Sequence, residues 1–440
     1  VTTEASEDRV PLTSAADLLE VFRPRSPVRG RLGIEWEQIP LDSRGRPVPF
    51  DGPAGVEALL LQLASASHKP VLEEGRCVAL RLSGGGVLGL EPGGQMEIAT
   101  PPSARLTTLH RFLARTLRET DGAARQLGFR LVPWGFSPYA HPEELPDVPR
   151  GRYRLLAGHL RKAGSRGRAM MKLTAATQFS LDYLDEADMR RMVAAALPLL
   201  PYLVAYTANG PVQGGRKSRW LTLRPWIWRG TDALRTGLPG FLFDERLSFR
   251  HWVRYGLSRP VLFRIRDGNY LPGDGRTFGR WLKEPGEWGV PTRGDWTLHL
   301  STLFPEIRIR GYLEIRTLDS LPLPLVLSVG AFLKGLLCPR EAPGFWGITL
   351  PRWKPAQARQ AILDAARYGP RWTPLEGPSP HAVLSRLLRA AAEGLSRLGE
   401  DDSWLAPFSE LIDRDSCPAD HWRKDAAGRW CGPEDPDAIY

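Results

Sequence analysis

Three well-separated stretches of this chain alternate carboxylates with apolar residues at period two: GIEWEQ (33–38), EPGGQMEI (91–98) and YLEIR (312–316). On a strand, residues two apart share a face, so Glu35 and Glu37 point to one side while Ile34 and Trp36 point to the other. Gln95 and Glu97 follow the same parity, with Glu91 brought back toward them by the Pro-Gly-Gly turn. Glu314 and Arg316 share a face between apolar Leu313 and Ile315. Should these strands join one sheet, four or five carboxylates converge, and such a cluster cannot all be ionised without cations among it. Oxygen-only donor sets suit Mg²⁺ or Mn²⁺, and Mg²⁺ commonly bridges carboxylates to substrate phosphates. Arg308, Arg310 and Arg316 are of the right type to hold phosphate oxygens. Two readings of the face stand open: a magnesium-nucleotide site, or a solvated sheet whose Glu and Arg form cross-strand pairs of small worth.

The remaining periodicity sets these strands in an α+β chain. Helical patterns run over 12–22, 56–65 and 106–128, then from Glu186 behind an Asp185 cap, and again over 355–412. Strand patterns run over 29–41, 77–82, 86–100, 173–183 and 307–320, with loops rich in Gly, Arg and Trp at 209–240. Hairpins rather than βαβ units imply an antiparallel sheet. No linker or repeat divides the chain, which reads as one catalytic body over 1–440, with a helical C-terminal region and a polar, loop-like tail at 413–440. The apolar stretch 321–337 is broken by Pro322, Pro324 and Lys334, so it reads as a core helix and not a membrane span.

Charge and cysteine usage narrow the partners. The net charge of +10 comes from 51 arginines against eight lysines, which suits acidic small molecules or nucleotides. Interleaved Arg and Trp at 214–230 would also suit nucleic acid, but the acidic strands repel phosphate and no recognised nucleic-acid motif is present. The expectation is small-molecule substrates, no nucleic acid and no membrane, in a monomer or homodimer. Four scattered cysteines and an N-terminus without a basic start and apolar run point to the cytoplasm; Cys417 and Cys431 could form a redox pair. A Gly-x-x-x-x-Gly-Lys-Ser/Thr loop is absent.

The ordered series GIEWEQ, EPGGQMEIATPP, TQFSLDY, TLRPWIW and LFPEIRIRGYLEIRTLDS resembles the glutamate-cysteine ligases of the plant and proteobacterial type, and their actinobacterial relatives of the ergothioneine pathway. The likeness spans about 29–338, with further matches at RGRYRLL, AMMKLTAATQ, DALRTGLPGFLFD and WTLHLSTLFPE. It implies a glutamine-synthetase-like fold, a curved and mostly antiparallel sheet with helices packed behind it. It also implies ATP- and Mg²⁺-dependent amide formation, with two or three metal ions, in which glutamate is activated as a γ-glutamyl phosphate and taken by the amine of cysteine. Carried over by position, Glu35, Glu37, Glu91, Glu97 and Glu314 correspond to metal ligands, with Glu35, Glu314 and Arg316 at the catalytic centre. Arg316, with Arg308, Arg310 and Lys172, falls to ATP; Gln178, Arg224, Trp228 and Arg235 fall to the amino-acid substrates. His299 matches a family histidine, yet a lone His before an apolar turn is more often structural.

The chain departs from the pattern at the substrates. Plant-type members carry Glu-His-Glu-Lys where Glu35, Trp36, Glu37 and Gln38 stand, and Gln-Val-Asn-Leu-Asp where Gln178 to Asp182 stand. Their Met-Arg-Ser-His-Ile-Trp loop is here Leu223 to Trp228. A related carboxylate-amine ligase with a different amine or acid is therefore the alternative.

Overall fold

A computed structural model describes residues 8–432 apart from 66, 146, 341–349, 376 and 426. The chain's extremes, 1–7 and 433–440, where the leader reading and the end of the tail fall, lie outside the described residues. The fold is α+β, built on one large antiparallel sheet as the periodicity implies. Its strands are β1 (Leu32–Asp42), β2 (Lys69–Glu73), β3 (Arg76–Leu82), β4 (Gly86–Leu90), β5 (Met96–Ala99), β6 (Phe129–Val132), β7 (Ala176–Leu181), β8 (Ile307–Ile309) and β9 (Leu313–Asp319). They pair in the order β8-β9-β7-β1-β5-β4-β3-β2, with β6 on the far half of β1, and every pairing is antiparallel.

Register carries the alternation across the sheet. Ile34 stands opposite Phe179, and Phe179 opposite Ile315, which pairs with Ile307; Trp36 faces Ile98. This apolar row is fully buried. A slip of one residue would bring carboxylates into it, so the register is strongly specified.

The apolar face is covered by helix Leu323–Leu337, buried along almost its whole length. Gly330 allows the close approach, because a Cβ there would lie 3.1 Å from both Leu32 Cδ2 and Phe179 Cε1. A second layer, helix Pro380–Arg397, packs on the first through Gly335 and Gly394; a Cβ on Gly335 would sit 2.3 Å from the Ala391 carbonyl oxygen. Between these helices and the Ala104 turn, Lys334 donates to Glu400 at 2.7 Å in a buried ion pair.

Two segments differ from their sequence reading. The 413–440 tail is not simply loop: within its described part, Cys417, Ala419 and Trp422 are buried, and a small hairpin joins Arg423–Lys424 to Trp430–Cys431. Trp422 supplies the reason, packing at a tilt against Trp134 with ring centroids 4.8 Å apart and donating its indole N–H to Asn209 Oδ1 at 3.0 Å. The 209–240 loops contain one short helix, Arg224–Arg229, which packs against β9. Among the described residues no helix is long and apolar enough to cross a membrane.

Candidate active site

Opposite the apolar row, the same register assembles a polar one. Glu37 of β1 stands directly across from Glu97 of β5, Glu35 across from Gln178 of β7, and Glu314 of β9 across from Ser180 of β7 and Arg308 of β8. Paired residues project to one side, so three strands, β1, β5 and β9, deliver Glu35, Glu37, Glu97 and Glu314 to a common face. Glu91 closes the hairpin before β5, its N–H donating to the Gln95 carbonyl oxygen at 2.9 Å. Gln95, expected beside Glu97, is turned into the fold, donating to the carbonyl oxygens of Met171 and Thr174. The hairpin is thereby locked to the 167–174 segment.

The electrostatics of this face are those of crowded acids. Burial, then the charge of Glu91, pushes the Glu37 carboxyl up to about 8. Burial and then Glu314 raise Glu35, while burial followed by Glu35, Glu91 and Glu37 raises Glu97 well above the ordinary range. Glu314 goes the other way. Burial would raise it too, but Arg308 and Arg316 hold it down at about 2. Arg308 grips Glu314 through Nε to Oε2 and through Nη2 to Oε1 at 2.9 Å, and Arg316 Nη1 donates to Oε1 at 3.1 Å.

That clamp revises the reading of Arg308. Its remaining nitrogen donates to the Leu303 carbonyl oxygen at 3.1 Å, so in this arrangement its fork is occupied by the protein and not open toward phosphate. The physical reason is that Glu314, 1% exposed, needs charge compensation within the fold. Arg310 is different: it is half-buried, its Nε has no hydrogen-bond partner, and burial followed by Arg308 lowers its pKa. It is the arginine of the three best placed to receive an anion.

Glu37 is oriented by β7. It accepts from Ala176 N at 2.8 Å and from Gln178 Nε2 at 3.2 Å. The Gln178 Oε1 is buried without a donor. An unpartnered amide oxygen beside carboxylates that repel one another is an oxygen-only set short of positive charge, and it fits a hard divalent cation. Among the described residues, however, no three acidic, His or Cys side chains close into a ready-made metal shell. Like charges do not gather unaided, and Glu314 is turned to its arginines.

Arg224 stands at the first turn of its short helix, fully buried. Its Nη2 donates to the Arg316 carbonyl oxygen at 3.3 Å and its Nε lies 3.6 Å from Asp319 Oδ1. Asp319 in turn accepts from Asn209 N at 2.7 Å and Thr222 Oγ1 at 2.8 Å. Burial leads the shift that raises Asp319 to about 6, against the pull of Arg224. Glu306, also raised by burial, lies in the field of Arg224 and Arg316. Neither Glu306 nor Asp319 stood out in the sequence. The alternation Glu306, Arg308, Arg310 signals the first; the second is hidden by an irregularity between Ile315 and Leu318 that breaks the parity of β9.

Three expected substrate residues are engaged elsewhere. Lys172 is buried, its ammonium on the Leu145 carbonyl oxygen at 2.6 Å and on Asp147 at 2.8 Å, which holds Leu145 and Asp147 instead of reaching toward a nucleotide. Arg235 is enclosed by Asp232 at 3.3 Å, Thr302 Oγ1 at 3.1 Å and the Pro260 carbonyl oxygen. Both are basic groups used to satisfy carbonyls inside the fold, where leaving them unpaired would be costly. Trp228 packs on Phe304 at 5.9 Å, while its neighbour Trp226 lies under the Arg166 guanidinium at 3.6 Å. His299 is structural: burial pushes it down to about 3, and its Nε2 lies 2.9 Å from the Gly256 carbonyl oxygen.

A large antiparallel sheet with acids on one face and helices on the other is the framework of a ligase fold already known. The solved structure of glutamate-cysteine ligase from Francisella tularensis, in complex with AMP, superposes with a TM-score of 0.53 at 11% identity, covering 88% of this chain and 82% of that one. In sequence, the chloroplastic glutamate-cysteine ligase of Brassica juncea is 32% identical over 423 residues, covering 94% of this chain and 80% of that protein. The Arabidopsis thaliana enzyme is 31% identical over 417 residues, covering 92% and 78%. The family model of glutamate-cysteine ligase family 2 matches residues 31–433, and the chain belongs to that family. It is an enzyme of the ligase class.

Proposed function

We propose that this enzyme joins the γ-carboxylate of glutamate to the amine of cysteine, using ATP and Mg²⁺, and releases γ-glutamylcysteine, ADP and phosphate. The γ-carboxylate attacks the γ-phosphorus of ATP and ADP leaves; the amine then attacks the acyl phosphate and phosphate leaves. Bound Mg²⁺, two or three ions with Mn²⁺ as a substitute, would neutralise the two anions that must meet and hold them in line. The observation that carries this reading is the paired placement of Glu37 and Glu97 on one face, with Glu35 and Glu91 nearby and the unpartnered Gln178 Oε1 beside Glu37.

In this proposal Glu35, Glu37, Glu91 and Glu97 hold the metal ions, and Ala176 N with Gln178 Nε2 fixes the aim of Glu37. Glu314 would complete the set, and Arg308 and Arg316, which hold it here, would supply positive charge beside the phosphates. Arg310 already stands open. Arg224, backed by Asp319, grips the α-carboxylate of glutamate. The site would act in the cytoplasm, in keeping with four cysteines that are free thiols, and its product would feed glutathione or ergothioneine synthesis.

A second reading keeps the chemistry and changes the amine. The helix after Leu223 brings Trp226 under Arg166, a wall unlike the plant-type loop. ADP release with Mg²⁺-ATP, glutamate and each amino acid in turn, with mass analysis of products, separates the two. A γ-glutamylcysteine peak establishes the first, and turnover with another amine only establishes the second.

A further inference from the structure

Behind the carboxylate face lies a partly open cavity of about 450 Å³. It sits on the apolar side of β1, between helix Leu106–Gln126 and the start of helix Leu323–Leu337. Trp36, Leu131, Leu323, Leu327 and Trp404 form its walls, with proline rings between them. Charge reaches its lining from Arg130 and from Asp121 and Arg125, the last two paired at 2.7 Å on the helix surface. Such a cavity favours flat apolar groups, which stack on indole and proline faces.

Among the polar side chains of the lining, Gln38 is the buried one with an unsatisfied atom. Gln38 is 1% exposed and lines the cavity, and its Oε1 is buried without any hydrogen-bond donor. Buried acceptors are almost always satisfied, so a lone unsatisfied one at a cavity wall marks a place where a donor belongs. We propose that this cavity is a binding site for a planar aromatic small molecule of the indole or phenol class, its ring against Trp36 and Trp404 and its N–H or O–H donating to Gln38 Oε1.

The site adjoins the carboxylate strand without being part of the reaction face. Trp36 and Gln38 alternate with Glu35 and Glu37 along β1. Trp36 Nε1 donates to the Leu321 carbonyl oxygen at 2.9 Å, and Ser320 Oγ donates to the carbonyl oxygen of Glu37. An occupant therefore presses on the strand that carries the proposed metal ligands.

Calorimetric titration of the full chain with indole, and with benzothiophene as the same shape lacking an N–H donor, tests it. Saturable one-to-one binding of indole is expected, several-fold tighter than benzothiophene. Gln38→Met should weaken indole about tenfold and leave benzothiophene unchanged, and Leu323→Trp should fill the cavity and abolish both. Should Leu323→Trp fail to give the wild-type circular dichroism spectrum, Ser403→Phe on the exposed rim serves the same purpose. Absence of saturable indole binding, or equal affinity in a correctly folded cavity-filling variant, overturns the site; an unaltered indole affinity in Gln38→Met overturns the role of Gln38.

Discussion

Glu37 on β1 and Glu97 on β5 are directly opposed residues of neighbouring antiparallel strands, two carboxylates on one face with no arginine between them in the register. Like charges so placed destabilise the sheet. Glu97→Gln should therefore raise the melting temperature of protein held in a chelator, by a free energy of about 1 kcal/mol. The same variant should lose at least a hundredfold in Mg²⁺-dependent turnover. A variant as active as wild type would remove Glu97 from the metal set.

Arg308 and Glu314 form a buried fork. Breaking one side of such a pair leaves an uncompensated charge and costs about 3–5 kcal/mol, reduced here because Arg316 still touches Glu314. Arg308→Ala should lower stability by roughly 2–3 kcal/mol, and Arg308→Ala/Glu314→Gln should recover most of it. Chemical denaturation of the two variants provides the comparison; a double variant no more stable than the single would show that the fork does not matter to the fold.

Arg224→Lys exchanges a planar fork for a point charge. If Arg224 holds the glutamate carboxylate, KM for glutamate should rise by about tenfold or more with KM for ATP little changed. Equal changes in both would place Arg224 in the general architecture of the sheet.

Asp319 supplies a pH signature. Its folded pKa, about 6, lies above its ordinary value of 3.8, so the folded protein holds the proton more tightly than the unfolded chain does. That contribution to stability is complete below about 3.8 and is lost as pH rises through about 6. Relative to Asp319→Asn, wild type should lose roughly 2–3 kcal/mol between pH 3.8 and pH 7. Urea denaturation of both proteins across that interval measures it, and parallel pH profiles would contradict the assignment.

Gly335 and Gly394 meet where the two C-terminal helical layers cross. Gly335→Ala would drive a methyl group into the Ala391 backbone, so the variant should lose more than about 3 kcal/mol and unfold in a single transition with the sheet. Loss of the C-terminal helices in a separate, earlier transition would mean that they are not part of one cooperative body.

The alternation of Glu35, Trp36 and Glu37 marked β1, and that of Leu313 to Arg316 marked β9, because a strand's period of two is a local property that any half-buried sheet imposes. The Asp185 cap was equally local, and its side chain accepts from Asp188 N at 2.7 Å. What escaped depends on partners far away in the chain. The strand Lys69–Glu73 is an exposed edge with little alternation in burial. Lys172 and Arg235 have the residue type of substrate contacts, but the carbonyls that engage them come from other loops. Trp422 is anchored by Asn209, more than two hundred positions earlier.

The sequence by itself determined the α+β class, the carboxylate-bearing strands and the family likeness, since each follows from short-range pattern or from ordered motifs. Only the tertiary structure decided which acids oppose one another, that Arg308 and Arg316 clamp Glu314, and that Asp319 backs Arg224. Those are consequences of register, of a broken parity in β9 and of burial, and electrostatic energies depend on distance and desolvation, which residue order does not specify.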